Sequence, residues 1–341
     1  MLWRAGFKWL FLITGTTIGA GYASGRELWQ FFGYESALAI GIFIVLFTVA
    51  CYVILSVSHQ LKTVHYLPVL EVLLGKKMSH VYDVMIVFYL FTTTAVMYAG
   101  SGAALEAFRI PAVCGIAISA FFVVILFVWR AEGVVVINAF LNPLLIVLLI
   151  SILSCFLLAQ HDMFQIDWEK QANWKAGFMF TSLNILPLVA VLAAIGSKIK
   201  NRGEIWIASV GSAIVLGGIT FLYNESLLHV AEELFYIEIP LFAILKHYPS
   251  SMAAIMTILL WLAIYTTAVS NLLGLTSRLR ERINMPWWLF ALLLTLLMVP
   301  ISLVGFSKLV GFFYPLYGVL NLYLLAALLV YPMMQKRSKR S

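Results

Sequence analysis

Apolar runs of about twenty residues recur along the whole chain, and each is long enough to cross a hydrocarbon core of ~30 Å. Only 11% of the residues are charged, against about a quarter in a soluble domain. Water is therefore not the main solvent, and the runs read as spans of a polytopic, all-α membrane protein. The first run lacks an A-x-A-like cleavage site and is followed by further spans, so it reads as a span rather than a signal peptide. The three cysteines, Cys51, Cys114 and Cys155, fall inside apolar runs and read as small buried hydrophobes.

The runs place ten transmembrane helices, at approximately 7–29, 36–60, 80–108, 112–130, 134–160, 174–197, 202–224, 251–277, 286–304 and 307–332. A further stretch, "SLLHVAEELFYIEIPLFAILKHYP" (226–249), carries too much charge to cross lipid and predicts one or two short helices at the surface. The loop "LKTVHYLPVLEVLLGKKMSH" (61–80) predicts a cytoplasmic helix with a supporting role. With the N-terminus inside, six basic residues lie outside: Arg26, Arg109, Lys170, Lys175, Lys246 and Lys308. The other sixteen of the 22, including the tail "QKRSKR", lie inside. This positive-inside bias puts both termini in the cytoplasm of a multi-pass plasma-membrane protein. The net charge of +7 is spread between spans, which suits topology and lipid headgroups rather than nucleic acid.

The polar segment "QHDMFQIDWEKQANWKAG" (160–177) divides the spans into five and five. Five is odd, so the second half enters the membrane in the opposite sense. This predicts a single transporter domain over 1–341 built from inverted repeats at about 7–160 and 174–332. Two spans in corresponding positions carry interruptions. Span one contains "GTTIGAGYASGRE" (15–27), with Gly15, Gly19, Gly21 and Gly25; span six contains "TSLNILP" (181–187), with Asn184 and Pro187. Close helix packing explains Gly15, Gly19 and Ala23 as a small-xxx-small face, yet Gly21 and Gly25 lie off that face. Unwinding accounts for all four. It would leave the amides of Gly19, Ala20 and Gly21 free for an anion and the carbonyls of Gly15 and Ile18 free for a cation. Helices 1 and 6 are therefore expected to be discontinuous. Span eight adds Ala263 and the adjacent hydroxyls of Thr266 and Thr267 in "WLAIYTTAVSNLLGLTSRLR". Arg26 and Glu27 at the outer end of span one read either as interfacial charges or as a gate closing against Lys308. No Walker motif, zinc signature or hydrolase elbow occurs, and the histidines lack metal-ligand spacing. Enzyme chemistry is accordingly not expected.

On these residues the chain resembles the amino acid–polyamine–organocation superfamily with its LeuT-type five-plus-five repeat, and more narrowly the YkvI-type amino-acid permease family. "GTTIGAG" is similar to the G-x-x-V-G-x-G pattern of sodium-coupled relatives, and "AIYTT" to their A-x-x-T-S pattern in span eight. The resemblance implies a sodium ion held by the carbonyls of Gly15, Ile18 and Ala263 and the hydroxyls of Thr266 and Thr267. It also implies a substrate carboxylate at Gly19, Ala20 and Gly21, with Tyr98, Thr181, Ser182 and Asn184 as further contacts. Some proton-coupled members place a lysine from span five at the ion's position; span five here, "VVVINAFLNPLLIVLLISILSCFLLAQ", has none. The expected function is a sodium-coupled symporter of a small amino acid or related zwitterion, needing no cofactor beyond that ion. The alternatives are a proton-coupled permease, with Glu27 or Glu106 as carrier, and a non-transporting ligand sensor on the same architecture. The expected partners are a small-molecule substrate and the lipid bilayer, and no feature specifies an oligomeric state.

Overall fold

A computed structural model describes residues 2–128, 134–160, 168–280 and 285–338. Arg130, Arg282, the end of the basic tail and residues 161–167 of the polar connector lie outside the described residues. The described chain is helical throughout: α1 (Leu2–Thr17), α2 (Ala20–Ala23), α3 (Arg26–Phe31), α4 (Ala37–Leu61), α5 (Leu67–Glu106), α6 (Ala112–Val128) and α7 (Val134–Ala159) come first. They are followed by α8 (Lys175–Ala193), α9 (Arg202–Leu228), α10 (Leu241–Leu245), α11 (Ser250–Arg280), α12 (Trp287–Ser302), α13 (Phe306–Leu320) and α14 (Leu322–Ser338). Among the described residues seven helices are long and apolar enough to cross a membrane, and α6 and α12 are shorter apolar helices. The protein is thus a multi-pass membrane protein.

The long helices pack in pairs distant in sequence: α1 along α9, α5 along α11, and α4 against both α8 and α9. Side-chain chemistry at the helix ends sets these partnerships. Asn201 caps α9 by accepting from the Glu204 amide at 3.1 Å, an arrangement that satisfies a donor every helix start leaves free. Glu204 in turn accepts the Trp9 indole N–H at 3.1 Å, which ties α1 to the start of α9. Across α3, α4 and α8 the Phe180 ring meets Phe31, Phe32 and Phe43 edge-on, at centroid separations of 5.6, 4.9 and 4.9 Å. Gly75 (φ 79°) interrupts α5, so a short helix beginning at Leu67 precedes the long apolar one, as the 61–80 loop led us to expect.

Three expectations are corrected. The "TSLNILP" stretch does not break: α8 runs on from Lys175 to Ala193. Thr181, Ser182 and Asn184 donate to the carbonyls of Gly177, Phe178 and Phe180, at 2.6, 2.8 and 2.9 Å. Polar side chains that bond back to their own helix need not open it, and Pro187 removes only one donor. The second correction concerns 226–249. It does form short helices, but Ile239, Leu241, Ala243 and Ile244 are fully buried rather than laid on a surface. Third, Cys51 is buried as expected, whereas Cys114 and Cys155 are exposed on the helix exterior.

Candidate functional site at the first-helix interruption

The helix that opens the chain ends at Thr17. Ile18 still donates to Thr14 O at 2.8 Å, but the Gly19 amide folds back onto Thr17 O at 2.8 Å and Gly19 is extended (φ −87°, ψ −173°). Helical hydrogen bonding resumes in α2, where Ala20 and Gly21 occupy starting positions that lack helical acceptors. No atom lies within 4 Å of where a Gly19 side chain would begin. The interruption therefore has room beside it.

Two tyrosines hold α2 in place. The Tyr22 hydroxyl donates to Leu216 O and pairs with Thr220, both at 2.8 Å, and the Tyr223 hydroxyl donates to Ala23 O at 2.8 Å. α2 is thereby fixed to α9. Gly25 then turns the chain with φ 78°, a left-handed conformation open to glycine, and α3 begins. This turn brings Glu27 back over α2. Glu27 is 6% exposed, its Oε2 lies 2.8 Å from where a Gly21 Cβ would sit, and the Tyr314 hydroxyl lies 3.0 Å from the same point. Gly21 is small because two polar groups converge on it. Asn184 of α8, whose amide donates to Phe180 O, lies beside Glu27, so α2, α3, α8 and α13 meet here.

The remaining expected residues divide. Gly15 O accepts from the Asn142 side-chain amide of α7 at 3.1 Å. Thr266 donates to Leu262 O and Ala263 O, at 2.9 and 3.1 Å, and Thr267 to Ala263 O at 2.7 Å. α11 packs on α2 just after the interruption, and α1 and α11 both pack on α7. The residues of the expected cation cage thus lie near and just past the end of α1 and on α11, two helices that share α7 as a neighbour. Thr181, Ser182 and Asn184 all bond their own helix, and of the three Asn184 is the one beside Glu27. Tyr98 is fully buried with its hydroxyl on Thr295 of α12 at 3.1 Å. The tyrosines in Glu27's electrostatic field are instead Tyr22, Tyr89 and Tyr314.

The expected closure of Arg26 and Glu27 against Lys308 is also rearranged. Glu27 faces inward, Lys308 is exposed, and the acid facing Arg26 is Glu238. Glu238 also accepts the Ser307 amide at 2.6 Å, and Leu241 N donates to Ser24 O at 3.0 Å. The segment between α9 and α11 is therefore stitched over α2 and α3, where a cavity of about 190 Å³ opens between Arg26, Trp29, Ala231, Leu234 and Phe235. Sequence reasoning missed Glu238 and Asn142. Asn142 was detectable as a polar residue beside Pro143, just before the apolar run from Leu144. Replacing Glu238 by Ala removes the acid facing Arg26 and the acceptor of Ser307. The expected cost is about 1–3 kcal/mol, measured as a lowered thermal unfolding midpoint of the purified protein; an unchanged midpoint would show that Glu238 does not hold the cap.

The overall fold is similar to that of two solved proteins. The chain matches a mutant of the manganese transporter of Eremococcus coleocola with a TM-score of 0.60 and 15% identity, over 96% of this chain and 78% of that one. It matches Mhp1, a nucleobase-cation-symport-1 family transporter in a closed conformation with bromovinylhydantoin bound, with a TM-score of 0.57 and 13% identity, over 92% and 74%. No protein-family model matches the chain. The uncharacterized membrane protein YkvI of Bacillus subtilis (strain 168) is 24% identical over 340 residues, covering 96% of each chain. The uncharacterized protein YyaD of the same organism is 49% identical over 336 residues, which is 98% of this chain and 99% of that protein. At that identity over nearly the full length of both chains, the protein belongs to the family of YyaD.

Proposed function

We propose that the protein is a secondary active transporter, a sodium-coupled symporter of a small amino acid or related zwitterion that works by alternating access. One observation carries this reading: the first helix stops at Thr17 and restarts at Ala20 beside open space at Gly19. Bare peptide groups inside a membrane are costly unless they meet a polar ligand or a hydrated cavity. A fold shared with two transporters supports the same conclusion.

In this reading α1 to α3 together form the first of ten spans, α6 and α12 are short crossings, and α13 with α14 form the tenth. The spans make two inverted repeats, of about 7–160 and 174–332, with both termini cytoplasmic. Amides at Ala20 and Gly21 receive the substrate's carboxylate beside Gly19, whose own amide is turned onto Thr17 O. Asn184 lies nearby and Thr181 and Ser182 shape the surrounding wall; Tyr98, bonded to Thr295, is left out of it. Sodium sits among Gly15 O, Ile18 O, Ala263 O and the hydroxyls of Thr266 and Thr267, a set of hard oxygens suited to it. A carbonyl has two lone pairs, so Gly15 O can serve both Asn142 and the ion. Arg26 with Glu238 closes the outer side, near Lys308. Cation and substrate together favour the state that rearranges, and rocking of one helix group against the other opens the site inward.

The test is thermal stability of the purified protein with the common amino acids, in sodium or potassium chloride, followed by counterflow in liposomes. Ligands that bind the folded state raise its midpoint, and a transporter exchanges label where a sensor only binds. Thr267→Ala is expected to raise the sodium requirement at least on the order of tenfold, as loss of even an outer partner of a metal ligand does. Stabilisation by no amino acid at any sodium concentration would refute the reading.

A further inference from the structure

Glu27 is a buried acid with no basic partner among the described residues. Among the described residues the ion pairs are Lys246–Glu233 and Arg278–Asp83, and the adjacent Arg26 faces Glu238 instead. The groups around the Glu27 carboxyl come from four elements and none is cationic: Tyr22 of α2, Tyr89 of α5, Asn184 of α8 and Tyr314 of α13. A buried carboxylate is destabilising unless a positive charge compensates it, and inside a membrane protein such a residue marks a functional position. The chain also makes room for it. Gly25 adopts φ 78° and Gly21 lacks a side chain at the one point where Glu27 Oε2 and the Tyr314 hydroxyl converge. Electron-rich tyrosine rings beside a carboxylate complete a setting suited to an organic cation.

We propose that Glu27 binds the ammonium group of the substrate, held between Tyr314 and Asn184, so that the cargo must carry a positively charged amine. The inference rests on the transporter reading above and deepens it. The carboxylate of the cargo meets the interruption at Gly19 to Gly21, and the amine meets Glu27 one turn of chain further on. Together they select a zwitterion by both charges. No atom lies within 4 Å of where a Gly19 side chain would begin, so the carboxylate end of the cargo has room there.

The full-length protein is titrated with three matched sets of probes, read by thermal stability and by counterflow. The sets are alanine, leucine and lysine; the 2-hydroxy acids in which hydroxyl replaces their ammonium; and the amines that lack their carboxylate. The wild type is expected to bind the ammonium-bearing probes and to discriminate against the hydroxy acids. Glu27→Gln, which keeps shape and removes charge, is expected to weaken amino-acid binding at least about tenfold and to leave the hydroxy acids unaffected. Glu27→Asp is expected to recover part of the loss. If Glu27→Gln fails to fold, Tyr314→Phe reads the same pocket and is expected to weaken the ammonium probes selectively. Glu27→Gln binding amino acids as the wild type does would overturn the proposal and leave the transporter reading intact. Wild-type binding of hydroxy acids as tightly as amino acids would do the same. Binding of amines alone would uphold the role of Glu27 and refute the zwitterion, and binding of no probe would overturn both.

Discussion

Gly25→Val is expected to abolish substrate binding and to lower the thermal midpoint more than any other single change at the site. Its φ of 78° costs an L-residue about 1–2 kcal/mol, and a β-branched one more. The new Cβ would also fall 2.7 Å from Cε1 and 3.0 Å from Cζ of Tyr223. That ring cannot withdraw cheaply: it is fully buried and its hydroxyl holds Ala23 O. Strain and overpacking together amount to about 3 kcal/mol or more. Gly19→Ala is the control, because its φ of −87° suits any residue and nothing lies within 4 Å. Size-exclusion recovery after heating distinguishes them: large loss for Gly25→Val, none for Gly19→Ala. Equal behaviour of the two would show that the left-handed turn is not what places α3.

Gly21→Ala is expected to weaken substrate binding at least about tenfold while changing stability much less than Gly25→Val does. A methyl group at that position would sit 2.8 Å from Glu27 Oε2 and 3.0 Å from the Tyr314 ring and hydroxyl. The carboxylate can swing aside at small cost, since it ends a flexible side chain, but swinging aside removes it from the position where it meets a ligand. Displacement of about 1 Å at a preorganised site is enough to lose about a hundredfold in function. The measurement is the amino-acid concentration giving half-maximal stabilisation. An unchanged value in Gly21→Ala would separate the Glu27–Tyr314 convergence from substrate recognition.

Much of this was legible in the sequence, for identifiable reasons. Apolar runs announce themselves by length, so the reading of 36–60 matches α4 at Ala37–Leu61, and 251–277 matches α11 at Ser250–Arg280. Of the four glycines of span one, Gly19 and Gly25 lie where helical bonding stops, because glycine costs a helix most, whereas Gly15 and Gly21 sit inside α1 and α2, so unwinding does not account for them. The expectation for span six failed because Asn184, Ser182 and Thr181 can either leave a helix or bond back to it, and a sequence does not state which. Glu27 was read as an interfacial charge, a gate or a proton carrier, because it follows the expected break by several residues. The left-handed turn at Gly25 starts a new helix in which Glu27 is buried against Gly21. The burial of 239–245 was hidden by the flanking charges Glu238 and Lys246, although the apolar run between them was the available signal.

The most direct test of the account is the reactivity of a thiol at the interruption. Gly19→Cys, made with Cys51, Cys114 and Cys155 replaced by serine, places a small side chain in space that is open in the structure. It is expected to react with a methanethiosulfonate reagent and to be protected by a stabilising amino acid in sodium but less so in potassium. A thiol that does not react, or one whose labelling no amino acid slows under either salt, would contradict a cargo site at the break in the first helix.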